Sequence, residues 1–364
     1  MRKTIQLLLL CSCQLLNAQE LLPGFDGKEY REMLGIFSRQ ADSFSAAIQI
    51  PVPAAYHRIY RSPELGLKNR WDLWYRNDNK VGVISLRGTV ADGRSWLENF
   101  YAAMVPATGK LQLNDSVVFS YRLASDASGM VHAGWLLGLA SLSGDIISQL
   151  KNSYAKGIKE YIIFGHSQGA ALAFLLRSHL YYLQLSKELP ADMVFKTYCS
   201  AAPKPGNLIY AYDFDFITRN GWAFTIVNTS DWVPQTPFSV QTLNDFPPVN
   251  PFNNVDGVLK RQPIFVRLYL KGKFKNLTKS TEKAQQRFEK YLGKLASKQV
   301  KKALPEFVPP EYSSGNNYQR AGFPIVLQPD EIYRRRFPDD PKKVFVHHML
   351  EPYYYLSSLY YPGK

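Results

Sequence analysis

Cysteine is scarce in this chain of 364 residues: three are present, and Cys11 and Cys13 fall inside an apolar leader. Once that leader is removed, Cys199 stands alone. No internal disulfide can then form, and the fold must rest on its core. Long apolar runs are equally scarce. Beyond the leader none approaches the roughly 20 residues that span a bilayer. Acids are few, 30 against 44 Lys and Arg, for a formal net charge of +14. The surplus is local. Between Lys260 and Lys302 stand 14 Lys/Arg against Glu282 and Glu289, a net of +12, which leaves +2 for everything else. A charge confined to one stretch argues against a general nucleic-acid binder, and no nucleic-acid partner is expected. Apolar residues are plentiful at 46%, with 23 Tyr and 21 Phe. That is enough for one large domain, and it excludes global disorder.

The leader has a recognisable pattern. Arg2 and Lys3 precede an apolar run from Ile5 to Leu16, too short to cross a membrane, and Ala18 follows. This is the form of a cleavable secretory signal, with the cut placed after Ala18. A secreted or periplasmic protein is therefore expected, with residues 19–364 as its mature domain. Leu10-Cys11-Ser12-Cys13 loosely resembles a lipoprotein signal ending at Cys13, but the run continues through Leu15 and Leu16, which argues against anchoring there.

Apolar periodicity predicts strands alternating with helices. Strands are expected at Lys80–Leu86, Val117–Tyr121, Glu160–Phe164, Phe195–Ser200, Ala223–Asn228 and Gly322–Leu327. Helices are expected within Gly27–Ile48, over Trp96–Met104, Gly134–Leu150 and Ala170–Leu185, and at His347–Leu359; Arg58–Tyr75 reads as irregular. The alternation predicts an α/β fold with a mostly parallel central sheet covered on both faces.

The residues with chemistry centre on Gly165-His166-Ser167-Gln168-Gly169. A serine between glycines, after a buried strand and before an apolar helix, is the pattern of a strand–turn–helix elbow that exposes the serine hydroxyl. A hydroxyl is a weak nucleophile and needs a base, which needs an orienting acid. Asp231 follows the Ala223–Asn228 strand, where sheet sites collect at strand C-termini. Beyond Asp231 the only histidines are His347 and His348, so one of them is the expected base. His132, His166 and His179 come too early and read as structural. For an oxyanion hole the backbone N–H of Gln168 opens the elbow helix, and Thr89 of Arg87-Gly88-Thr89 ends an earlier strand.

Taken together, five motifs in order resemble the fungal-type (class three) lipases of the α/β-hydrolase superfamily. They are Leu86-Arg87-Gly88-Thr89 with Trp96-Leu97-Glu98-Asn99-Phe100; Val131-His132-Ala133-Gly134-Trp135; Gly165 to Ala170; Ser200 to Asn207; and Val227 to Pro234. The resemblance implies Ser167 as nucleophile, Asp231 as acid, Thr89 and Gln168 as oxyanion donors, and an ester-hydrolysing activity. It favours His348, since His348-Met349-Leu350-Glu351 looks like the family's closing segment. It also puts a lid at about Ala91–Met104. Ala170 stands where the family often has glycine.

The chain departs from the family most between Asp231 and His348, 117 positions apart. The excess is the basic stretch, 255–310, with a helix expected from a cap at Ser280 or Thr281 through about Leu304, carrying Phe288, Leu292, Leu295 and Ala296 on one face. Such a helix suits an anionic membrane or lipid interface. The expected protein is thus an α/β-hydrolase with a basic insert before its last strand and helix. It cleaves carboxylic esters of lipids as a monomer, without cofactor or metal. Phospholipase A1, a soluble-ester esterase and an acyltransferase share the machinery. An inactive scaffold that binds anionic surfaces through the insert is the reading outside enzymes. Three N-x-S/T sequons, at Asn114, Asn228 and Asn276, are candidate glycan sites.

Overall fold

In the computed structural model, residues 19–363 are described apart from 41–49, 52, 248, 255, 256, 258 and 261. The expected signal segment, and residues 41–48 of the helical pattern at 27–48, lie outside the described residues. Among the described residues eleven strands are seen: β1 (Tyr56–Arg61), β2 (Trp71–Arg76), β3 (Val81–Leu86), β4 (Met104–Pro106), β5 (Thr108–Gln112), β6 (Val118–Arg122), β7 (Met130–His132), β8 (Glu160–His166), β9 (Val194–Ser200), β10 (Ala223–Asn228) and β11 (Phe323–Leu327). The α-helices are α1 (Gly27–Phe37), α2 (Gly93–Phe100), α3 (Ala133–Ala155), α4 (Gln168–Leu185), α5 (Leu208–Ile217), α6 (Ile264–Phe288), α7 (Ala296–Ala303), α8 (Glu331–Arg336) and α9 (Leu350–Tyr360).

Seven strands form one sheet in the order β1-β2-β3-β8-β9-β10-β11. From β3 to β11 every pairing is parallel, and β1 and β2 add antiparallel at one edge. The parallel strands are apolar on both faces because helices cover both. On one side Leu136, Leu139, Leu172 and Leu176 of α3 and α4 pack against Ile84 and Ile163. On the other, Tyr30 and Leu34 of α1 and Tyr353 and Leu356 of α9 pack against Val83, Ile162 and Ile226. This is the mostly parallel, doubly covered sheet expected from the alternation, and the α/β-hydrolase fold that the resemblance implies. No helix among the described residues is long and apolar enough to cross a membrane.

The differences are instructive. Arg58–Tyr75, which reads as irregular, overlaps both antiparallel strands. Trp71, Asp72, Leu73, Trp74 and Tyr75 of β2 are all buried, so no alternation marks the strand. The predicted strand at Val117–Tyr121 exists, but in a separate β5–β6 hairpin, away from the central sheet. The basic helix does not start from a cap at Ser280 or Thr281. It begins at Ile264, and α6 runs through a π-helical turn (Glu289–Leu295) into α7. Of the three sequons, Asn228 is buried, its amide donating to the Tyr333 hydroxyl and the His347 carbonyl, which leaves no room for a glycan.

Candidate active site

β8 delivers the chain to a sharp turn at Ser167, and α4 leaves from it. Ser167 has φ 60° and ψ −129°, a left-handed backbone that a side-chain-bearing residue holds only under constraint. The flanking glycines explain why the turn closes. A Cβ on Gly165 would meet the Gly169 carbonyl oxygen at 2.1 Å, and one on Gly169 would meet the Leu86 carbonyl oxygen at 2.2 Å. Strand, turn and helix backbones approach closer than any side chain allows.

Around that serine the structure gathers residues far apart in sequence. Ser167 Oγ lies 2.8 Å from His348 Nε2, and His348 Nδ1 lies 2.7 Å from Asp231 Oδ2. Asp231 is fully buried at the side chain. Besides the imidazole it accepts the Val233 N–H at Oδ1 (2.9 Å) and the Tyr353 hydroxyl at Oδ2 (2.8 Å). Tyr353 in turn accepts the Asn228 N–H at 3.1 Å. A carboxylate receiving three donors stays an acceptor towards Nδ1–H, which leaves Nε2 to accept from the Ser167 hydroxyl.

His347, the other histidine left open by chain order, is engaged elsewhere. Its Nε2 donates to Asp339 (2.8 Å) and its Nδ1 accepts from the Tyr333 hydroxyl (2.7 Å). His166 is buried, and that burial pushes its imidazole down to about 3, so it is neutral. It accepts the Ser200 hydroxyl at Nδ1 and donates from Nε2 to the His348 carbonyl at 2.7 Å, which fixes the backbone of His348. His132 caps α3, accepting the Trp135 N–H, and is likewise held neutral by burial. Tyr353 and the bond from His166 to His348 carried no signal in the pattern beyond lying inside conspicuous motifs.

Thr89 sits across from the elbow. Its hydroxyl donates to Gln168 Oε1 (3.2 Å) and accepts from Asn99 Nδ2 (2.9 Å), while Asn99 Oδ1 accepts the Trp135 indole N–H. Asn99 belongs to α2, the segment where the resemblance places a lid. That helix presents Trp96 and Phe100 to the cleft but is tied down on its other side by buried Ser95 and Glu98. Glu98 occupies a slot made by two glycines of α3. A Cβ on Gly138 would come within 2.5 Å of its carboxyl, and one on Gly134 within 1.9 Å of its carbonyl oxygen.

Burial pushes the Glu98 carboxyl up to about 8, although the Asn69 and Gln168 amides favour its charged form. Its usual value is 4.5, so the folded protein keeps a proton that the unfolded chain releases. Stability then falls as pH rises from roughly 4.5 to about 8, by at most ~1.4 kcal/mol per unit. Glu98→Gln keeps the shape and the neutral state. Its melting temperature should therefore gain several degrees on wild type between about pH 5 and about pH 9. Parallel melting curves across that range would mean that Glu98 ionises normally.

The serine opens into a cleft of about 930 Å³, lined among others by Phe37, Trp96, Phe100, Trp135, Trp232, Phe238, Leu292 and Phe345.

This fold, with a serine at the elbow turn, defines an α/β-hydrolase. The family model described as lipase (class 3) matches residues 83–241, and over that stretch the chain is similar to the class 3 lipases. Among solved structures it is similar to a Rhizomucor miehei lipase–propeptide complex, at 19% identity and TM-score 0.43 over 58% of this chain and 63% of that one. A triacylglycerol lipase from Penicillium expansum is similar at 17% identity and TM-score 0.42, over 58% and 75%. Lipase II from Rhizopus niveus is similar at 21% identity and TM-score 0.40, over 58% and 74%. The chain thus spans less than two thirds of the Rhizomucor lipase chain. No curated protein matches it.

Proposed function

We propose that the protein is a serine hydrolase of lipid carboxylic esters, working through an acyl-enzyme. The observation that carries this reading is the hydrogen-bonded chain Ser167–His348–Asp231, 2.8 and 2.7 Å long, at the floor of a wide apolar cleft. Ser167 attacks the ester carbonyl while His348 Nε2 takes its proton. Asp231 holds the ring and stabilises the imidazolium. The N–H groups of Gln168 and Thr89 receive the oxyanion, the first at the positive end of α4. His348 returns the proton to the leaving alcohol. Water activated by the same nitrogen then frees the acid. Every proton in this cycle passes through His348: first from Ser167 to the leaving alcohol, then from water back to Ser167.

The cleft favours lipid over soluble esters. Aromatic and aliphatic walls hold an acyl chain at about 0.8 kcal/mol per buried CH₂. Hydrolysis of p-nitrophenyl esters from acetate to palmitate should therefore show kcat/KM rising with chain length before levelling off. A preference for acetate would replace the lipid reading with a soluble-ester esterase. No turnover on any ester, emulsions included, would favour the inactive scaffold.

A further inference from the structure

The long basic helix contributes little to the site, and its two halves differ. From Thr281 onward one face is covered: Gln285, Gly293, Ala296, Ser297 and Val300 are buried. Before that point no described side chain of the helix is buried. Ile264 (66% exposed), Phe265 (83%), Leu268 (63%) and Tyr269 (65%) all face solvent, and so do Val266 and Leu270. Phe274 rests on Phe252, ring centroids 6.3 Å apart. Six of the first seven residues are thus apolar and open. Lys271, Lys273, Lys275 and Lys279 come next, and no acid appears in the helix before Glu282.

Contiguous exposed apolar surface on a folded domain marks a contact with something else. The order of the two chemistries selects the partner. A polyanion such as nucleic acid would use the lysines but would leave the apolar turns in water. A second copy would match the apolar turns but would bring like charge against like. A bilayer with acidic headgroups takes both. The apolar tip sinks below the headgroups, and the lysine collar stays among the phosphates with its stems along the chains.

The other end of the same helix meets the cleft. Leu292 lines the cleft wall, and the π-helical turn leaves its carbonyl to accept the Ala103 N–H at 3.2 Å, just beyond α2. Tip and cleft wall are therefore parts of one continuous helix, about 42 Å from Ile264 to Leu292.

We infer that residues 264–280 are a membrane anchor that inserts Ile264–Leu270 into an anionic lipid surface and so holds the cleft at that surface. The purpose of the anchor rests on the lipid-ester reading; its binding does not, and can be measured without turnover.

The test is co-sedimentation of the full chain with vesicles of phosphatidylcholine alone or of phosphatidylcholine and phosphatidylglycerol in equal parts. Binding should appear on the mixed vesicles and weaken as salt is raised. Reversing Lys271, Lys273 and Lys275 to Glu should weaken it about 100-fold or more, ~3 kcal/mol at about 1 kcal/mol per lysine. Phe265→Ser with Leu268→Ser should also release the protein. Both variants should keep wild-type turnover of p-nitrophenyl butyrate in solution, because these side chains lie outside the cleft and the core.

Equal binding to the two vesicle types, binding that survives either variant, or no binding at all would overturn the anchor. So would a dimer in lipid-free buffer that the Phe265→Ser/Leu268→Ser variant dissolves. Vesicle binding without any ester hydrolysis would keep the anchor and sink the hydrolase reading. Hydrolysis without vesicle binding would do the reverse.

Discussion

Replacing Ser167 with alanine should lower kcat on a p-nitrophenyl ester by about a million-fold, or ~8 kcal/mol of transition-state stabilisation. The expectation follows from what the hydroxyl touches. Its hydrogen-bond partner at the elbow is His348 Nε2, so the loss falls on bond formation to the acyl carbon and hardly on ground-state binding. KM should change little. Folding should also survive, since the left-handed φ at this position strains alanine no more than serine. Catalysis remaining above the uncatalysed rate would be that of the oxyanion groups and the cleft alone. The measurement is steady-state turnover beside a thermal melt. Activity retained to within tenfold in a fully folded variant would show that another nucleophile does the chemistry.

Asp231→Asn should cost about 10⁴-fold in kcat, through the tautomer of His348 and not through its position. Asp231 receives three donors: Val233 N–H, the Tyr353 hydroxyl and His348 Nδ1–H. An asparagine has one oxygen for them. With that oxygen turned to Val233 N–H, its amide N–H faces His348 Nδ1, which must then accept. The proton moves to Nε2, the atom that has to take the serine proton, and the base is blocked. Turnover and burst kinetics of the variant test this. A loss of tenfold or less would mean that Tyr353 and the His348 backbone orient the ring without the carboxylate.

Most of the parallel sheet could be read along the chain because its strands are short, β-branched and followed by breaks. β3, β8, β9, β10 and β11 all fall where apolar runs end in Arg-Gly, Gly-His, Ala-Ala-Pro, Asn-Thr-Ser or Gln-Pro. β1 and β2 could not: β1 is mostly exposed and polar, and β2, buried on both faces with Asp72 among its apolar residues, has neither alternation nor a purely apolar run. Asp72 is tolerated there because Arg61 pairs with it from β1 at 2.8 Å, a partner set by register and not by sequence distance. The helix at Ile264 was missed for a related reason. A cap residue at Ser280 offered a start, yet its hydroxyl donates within the helix to the Asn276 carbonyl.

The sequence by itself determined the elbow, because only glycines at 165 and 169 permit backbones to pass so closely, and it determined the order serine, acid, histidine. Chain order narrowed the candidate base to two neighbours, and the resemblance alone favoured His348. The tertiary structure brings His348 within hydrogen-bond reach of Ser167 and holds His347 elsewhere. His347 is engaged by Tyr333 and Asp339, while His166 pins the His348 carbonyl and turns that ring toward Ser167. The same holds for α2, whose apolar stripe fits a lid and a core helix equally well. Glu98, in a slot that Gly134 and Gly138 open on another helix, ties it down, and contacts between distant segments leave no periodic mark in either one.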